Sequence, residues 1–266
     1  MIKVFQVIFF VIAAVILTGC NGSEQDKPVW EDVNLGDLRP SHIEPGRKML
    51  ETANFDVYVF EMPAEKIDSL ERMWEQLYTK PLKFNDYEAF VANSFSIGFA
   101  EISMWSQINK ILTEAGAKKR QTISLLLFDG QMEDVFIEWL KEGQTVFYFS
   151  TDESMKGVSV GQGALALRIK AEKIGSSRGV CGFNAVPVSA PRRRYSIRQS
   201  VDHGQTSEFV FGSTGFGLKM SPGDFIILGP KKYISHQITL GSLFFSKTGP
   251  KSVVRIFLVI CTGMNY

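Results

Sequence analysis

The sequence is short of the residues that metal proteins and many enzymes depend on. It holds three histidines and three cysteines in 266 residues. His42, His203 and His236 are far apart, and no cysteine has a C-x-x-C neighbour, so the ligand clusters that hold zinc are missing. The one G-x-S-x-G pattern, Gly157 to Gly161 in "GVSVG", does not lead from a strand into a helix, so it does not read as a nucleophile elbow. "VDHGQTS" places Asp202, His203 and Ser207 together, but a triad is a matter of geometry, and residues sharing one turn read as a polar loop. Glu61, Asp129 and Asp134 are carboxylates at strand ends, where charge ordinarily marks a wet edge. "GVSVGQG" and "GSTGFG" are glycine-rich, yet neither joins a strand to a helix as a phosphate cradle does. They read as turn and bulge chemistry. Excess charge is lacking too. The formal charge of +1 argues against nucleic acid as a partner, and the one basic cluster, Arg192 to Arg194 in "SAPRRRYS", reads as a solvated loop. No cofactor, no metal and no catalytic residue are expected.

What is present begins at the N-terminus. "MIKVFQVIFFVIAAVILTGC" carries one charge, Lys3, then an apolar run from Val4 to Leu17, then Thr18, Gly19 and Cys20. That order has the form of a secretory signal over residues 1–19. The run is shorter than the roughly 20 apolar residues of a spanning helix. "LTGC" resembles the bacterial lipobox. The resemblance implies cleavage before Cys20 and a diacylglycerol on its sulfur, with acyl chains such as palmitate. Each buried methylene is worth about 0.8 kcal/mol, so more than one chain makes a stable anchor. In lipoproteins of the common sorting system Asp after the cysteine favours the inner membrane, so Asn21 points to the outer one, with the chain facing the periplasm. Loss of Lys3 takes the formal charge from +1 to 0. Cys181 and Cys261 remain; in an oxidising envelope they can pair as a disulfide or stay as buried thiols in neighbouring strands.

Residues 20–50 are polar and proline-containing without a sustained period, and read as a tether. Order begins at "FDVYVFEM", where Phe55, Val57 and Val59 alternate with Asp56, Tyr58 and Phe60 as in a strand. "PAEKIDSLERMWEQLY" puts Ile67, Leu70, Trp74 and Leu77 on one helical stripe. "LKFNDYEAFVA" and "SFSIGFAE" read as strands, "ISMWSQINKILTEAG" as a helix stopped by Gly116, and "RQTISLLLFDG" as a strand. The expected fold class is α+β: a β-α-β-β-α-β layer over 51–128, followed by a mostly antiparallel all-β region over 129–266. In the second part short apolar runs such as "DVFIEWL", "QTVFYFS", "ALALRIKAEKI", "SEFVFGS", "GDFIILG", "SLFFS" and "SVVRIFLVIC" alternate with turn residues.

The order of segments resembles the C-terminal homology domain of bacterial secretins, the ring-forming outer-membrane channels. "FDVYVFEMPAEKIDSL" is similar to its opening strand and helix, and "INKILTEAGAKKRQTISLLLFDGQMEDVFI" to its helix, strand and Asp-Gly turn. "GVSVGQGALALRIKAEKI" resembles its alternating strand, and "SPGDFIILGP" and "TLGSLFF" with "SVVRIFLVICTG" resemble its closing strands and the loop between them. The sequence departs from the pattern in lacking a proline before Leu240 and in having Pro230 where a second glycine is usual. The resemblance implies a structural or secretion-associated component of the cell envelope that works through protein partners or self-association. Leu243, Phe244 and Phe245 are then an interaction loop, or else core. A ligand-binding lipoprotein with a pocket lined by Phe147, Phe149, Phe209 and Phe211 is the alternative, and an envelope hydrolase using Asp202, His203 and a serine is a third reading.

Overall fold

The computed structural model describes residues 51–175, 179–191, 208–234, 238–247 and 251–265. All fall within one compact unit, Met49–Tyr266. Cys20, the tether, Arg192–Arg194, the three histidines and the Asp202–His203–Ser207 loop lie outside the described residues.

Strand β1, Thr52–Pro63, is followed by a 3-10 segment, Ala64–Leu70, and a single α-turn, α1, Glu71–Trp74. The short strand β2, Lys83–Phe84, leads to helix α2, Tyr87–Ala92, and strand β3, Phe95–Glu101. Here the expected strand "LKFNDYEAFVA" is mostly helix. Asp86 sits in extended backbone and accepts a hydrogen bond from the Ala89 N–H at 2.8 Å, the geometry of a helix N-cap. Helix α3, Trp105–Glu114, buries Ile108, Ile111 and Leu112. Gly116, at φ 76°, closes it, as the Ala117 N–H reaches back to the Leu112 carbonyl. Strand β4 is Lys118–Phe128.

The strands and helix that follow are β5 (Met132–Leu140), β6 (Gln144–Phe149), β7 (Met155–Val160), β8 (Gly163–Lys173), β9 (Cys181–Pro191), β10 (Phe209–Val210), β11 (Phe216–Met220), β12 (Asp224–Pro230) and helix α4 (Leu240–Phe245). Strands β13, Ser246–Lys247, and β14, Val253–Asn265, complete the chain. Two expectations change. "GVSVGQG" contributes most of β7 instead of a turn, pairing Gly157 with Phe147 of β6. "SLFFS" is helix where a strand was expected, because Thr239 and Ser242 form a reciprocal capping box at its start.

The strands form two six-stranded antiparallel sheets and a ribbon. The first sheet runs β3-β12-β14-β1-β4, with β13 also on β14; the second runs β2-β11-β9-β8-β5, with β10 also on β9; β6 and β7 make the ribbon. The expected boundary at 128/129 therefore does not divide two subdomains. Strands β12 and β14 of the later half lie between β3 and β1 of the earlier half. The α+β class stands with β dominant. The α1 and α3 side of the first sheet carries one core, in which Phe60, Met62, Phe225, Ile256 and Leu258 meet Leu70, Met73 and Ile108. A second core fills the space between the sheets, with Phe55, Val57, Phe257 and Val259 facing Leu165, Leu167 and Phe183.

Helix α4 is seated in the second core. Phe244 and Phe245 lie 5.4 and 4.8 Å from the Phe95 ring, and both neighbour Phe257. Its backbone approaches closely at Gly241, where a Cβ would stand 2.0 Å from the Asn93 carbonyl oxygen. Asn93 in turn holds the ribbon. Its carboxamide donates to the Phe149 carbonyl at 2.9 Å, accepts from the Phe149 N–H at 3.0 Å, and donates to Ala89 at 2.7 Å. One side chain thus fixes the end of α2 and the end of β6 while α4 rests on its backbone. Asn93→Ala takes the acceptor from the Phe149 N–H and leaves the Phe149 carbonyl with the Ser213 hydroxyl at 2.8 Å, and is expected to cost about 1–2 kcal/mol. Gly241→Ala forces α4 off its seat at about 1–3 kcal/mol. Urea unfolding checks both, and an unchanged midpoint for either variant would contradict this account.

Candidate functional site

The carboxylates that sequence offers for acid–base chemistry are kept apart and occupied. Glu61 pairs with Arg120 at 3.0 Å and Lys247 at 3.7 Å. Asp129 accepts from the Lys173 N–H at 2.7 Å, and Asp134 takes Arg168 in a two-pronged pair at 2.7 and 2.8 Å. Among the described residues no group of three His, Cys, Asp or Glu could hold a metal. The phenylalanines proposed as a pocket lining do not act together. Phe209 and Phe211 stack on each other at 4.9 Å and on Tyr148, while Phe147 is on the exposed ribbon. Leu243, Phe244 and Phe245 are buried in the core of their own chain, so as placed here they offer a partner no surface. The core reading of that stretch is the one the geometry favours, because the capping box turns all three side chains inward on a short helix.

Five of the exposed large apolar side chains among the described residues lie along β4 and β5: Leu126, Phe128, Met132, Phe136 and Trp139. Strand β4 is the last of the first sheet and pairs only with β1; β5 is the last of the second and pairs only with β8. Both present one unpaired backbone edge among the described residues. The corner between them is built firmly. Gly130, at φ 75°, donates to the Ala171 carbonyl at 2.8 Å, and the Gln131 side chain accepts from the Phe128 N–H. The chain here leaves one sheet and enters the other. Leu126 and Phe128 before the corner, and Met132, Phe136 and Trp139 after it, are each between 41% and 56% exposed. Phe136 and Trp139 form an edge-to-face pair at 5.7 Å. Asp134, Arg168 and Glu208 make a charged rim beside Phe136. The first residues of β4, Lys118, Lys119 and Arg120, place charge on one end of its edge, while the Leu126–Phe128 end has none. An edge strand left apolar is a template for pairing with another chain.

This flank escapes sequence reasoning for a definite reason. Val135 and Ile137 point into the core while Phe136 points out between them, so "VFI" reads in sequence as one short buried run. The signal available was the charge around that run, Glu133, Asp134 and Glu138, which marks β5 as half exposed.

A groove of about 400 Å³ lies on the helical side of the first sheet. Phe60, Phe225 and Leu258 floor it, Trp105 walls it, and Tyr58 and Lys119 stand at its rim. Burial, and then the neighbouring Asp56 carboxylate, push the Tyr58 phenol above its ordinary value. No nucleophile with a base beside it appears in the groove.

Between the sheets lies one more reactive feature. Cys181 begins β9 and Cys261 lies in β14; both are fully buried, and both are free thiols. Both belong to the core between the sheets, and the Cys261 thiol donates to the Gly263 carbonyl at 3.9 Å. The neighbouring Cys261, and then burial, push the Cys181 thiol up, and the neighbouring Cys181 draws Cys261 down. Beside them Phe55 and Phe183 meet edge to face at 5.3 Å.

No family model matches the chain, and no curated protein matches it. Among solved structures it is similar to the V. cholerae type IV competence pilus secretin PilQ, with 9% identity over 81% of this chain and 61% of that one at a TM-score of 0.25. It is also similar to the InvG secretin domain β-barrel of the Salmonella SPI-1 injectisome, with 11% identity over 82% of this chain and 63% of that one at a TM-score of 0.22. The chain thus spans less than two thirds of either, and its structural resemblance to secretin domains is weak.

Proposed function

We propose that this chain is a non-enzymatic lipoprotein of the bacterial cell envelope that works by assembling with other protein chains, a second copy of itself first. The observation that carries the reading is the β4–β5 flank, with two strand edges that have no partner among the described residues and with its exposed Leu126, Phe128 and Phe136. Large apolar side chains left exposed on a folded chain mark a contact surface, and strand edges supply backbone hydrogen bonds to a partner strand. The carboxylates are committed to ion pairs and backbone caps, in keeping with a role that needs no covalent chemistry. The lipobox-like "LTGC" supplies the anchor at Cys20, and Asn21 favours the outer membrane. On the secretin-like order of segments, the assembly is a ring of copies.

Two measurements test this. Cys20→Ala is expected to abolish incorporation of labelled palmitate and to release the chain from the membrane fraction; unchanged labelling would remove the anchor. Full chain extracted in mild detergent is expected to sediment as an oligomer. Leu126→Lys with Phe136→Lys should weaken that association by tenfold or more, equivalent to about 1.4 kcal/mol. Because both side chains are exposed, each substitution should move stability by no more than about 0.5 kcal/mol. A wild-type monomer, or an oligomer indifferent to the double substitution, would overturn assembly through this flank.

A further inference from the structure

The buried thiol pair has no part in the flank or the groove. We propose that Cys181 and Cys261 are a disulfide site, oxidised to one another in the envelope so that the bond fastens the two sheets face to face. The partners are chosen by geometry. The thiols come from different sheets, are both fully buried, and belong to the one core that fills the space between those sheets. Each sits on a well-fixed strand: Cys181 lies between Lys173 and Met220 in its sheet, and Cys261 lies opposite Phe55 in the other. The Phe55–Phe183 contact holds the sheets together at the same level. Among the described residues no metal cluster competes for the sulfurs.

The oxidant comes from the compartment, so this inference rests on the envelope location proposed above. One cysteine thiolate attacks a sulfur of an exchangeable disulfide on a thiol oxidoreductase and expels a thiolate. The second cysteine, deprotonated, then attacks the protein sulfur of that mixed disulfide and expels the other thiolate. One S–S bond forms, the carrier's disulfide becomes two thiols, and two electrons pass to the carrier. Exchange needs access, so it takes place before the sheets close over the pair.

The test is a thiol count on full-length protein, taken from membranes by acid quenching, denatured, and labelled with a polyethylene-glycol maleimide. A lipidated Cys20 cannot react. The expected result is no adduct before reduction and two after it. One adduct before and three after would keep the disulfide and remove the lipid from Cys20. Two adducts both before and after would overturn the disulfide while the anchor stands. Three before and three after would overturn both. Cys181→Ala should give one adduct with or without reduction; a variant whose Cys261 stays unreactive until reduced would overturn the pairing. Reduction of the wild-type chain should lower its thermal midpoint by roughly 10 °C, given a closed loop of about 80 residues. The Cys181→Ala midpoint should not respond.

Discussion

Between Val254 and Cys261 the last long strand presents apolar side chains to both sides, and the layers of the molecule are arranged to cover them. Val254, Ile256 and Leu258 face the helical layer, and Phe257, Val259 and Cys261 face the second sheet. A strand without a wet face has to lie in the middle of a sheet that is itself covered twice. Strands β1 and β12 provide its neighbours, and α1, α3 and the second sheet provide the covers. The exception proves how strict the demand is. Arg255 points into the space between the sheets and is buried, and its guanidinium reaches Glu138 and the Ile137 carbonyl of β5. A charge there has to be paired, and the pairing joins the second sheet's outermost strand to the first sheet's central one.

How far this was legible follows from periodicity. Strands β1, β8, β12 and β14 and helix α3 are long enough for a period of two or of 3.6 to show, and they lie where "FDVYVF", "ALALRIKAEK", "GDFIILG", "SVVRIFLVIC" and "WSQINKILTE" put them. Helices α2 and α4 have six residues each, less than two turns, and their apolar side chains resemble those of strands. Only the caps, Asp86 for α2 and Thr239 with Ser242 for α4, distinguish them. Alternation also tells which face a residue takes without telling which strand lies beside it. That is why β1 and β14, from opposite ends of the described chain, read as parts of different subdomains although Val57 lies opposite Val259. The candidate site was hidden by the same limit. Exposed Phe136 sits between Val135 and Ile137 and reads in sequence as part of their buried run.

The order of strands also explains why one flank is open. The chain turns at Asp129–Gly130 from the edge of one sheet into the edge of the other, so neither β4 nor β5 can be covered by its successor. A turn that kept both strands in one sheet would have paired them. Their exposure is therefore a product of the topology, and the side chains placed on it are apolar and aromatic where charge would have blunted it.

A surface that associates through strand edges loses less free energy on binding when those edges already hold their shape. The corner that begins β5 is tied to both cysteine-bearing strands. Leu125 of β4 lies opposite Phe55, which lies opposite Cys261; Asp129 caps the Lys173 N–H, and Lys173 lies opposite Cys181. The thiol pair and the sheet-switching corner are thus at one end of the sandwich, two strands apart in each sheet. Any force that spread the sheets there would move Leu126, Phe128 and Met132 relative to one another. Two free, buried thiols resist that motion only through packing. A covalent link would resist it outright, keeping the apolar end of the flank in one shape whether or not a partner is bound.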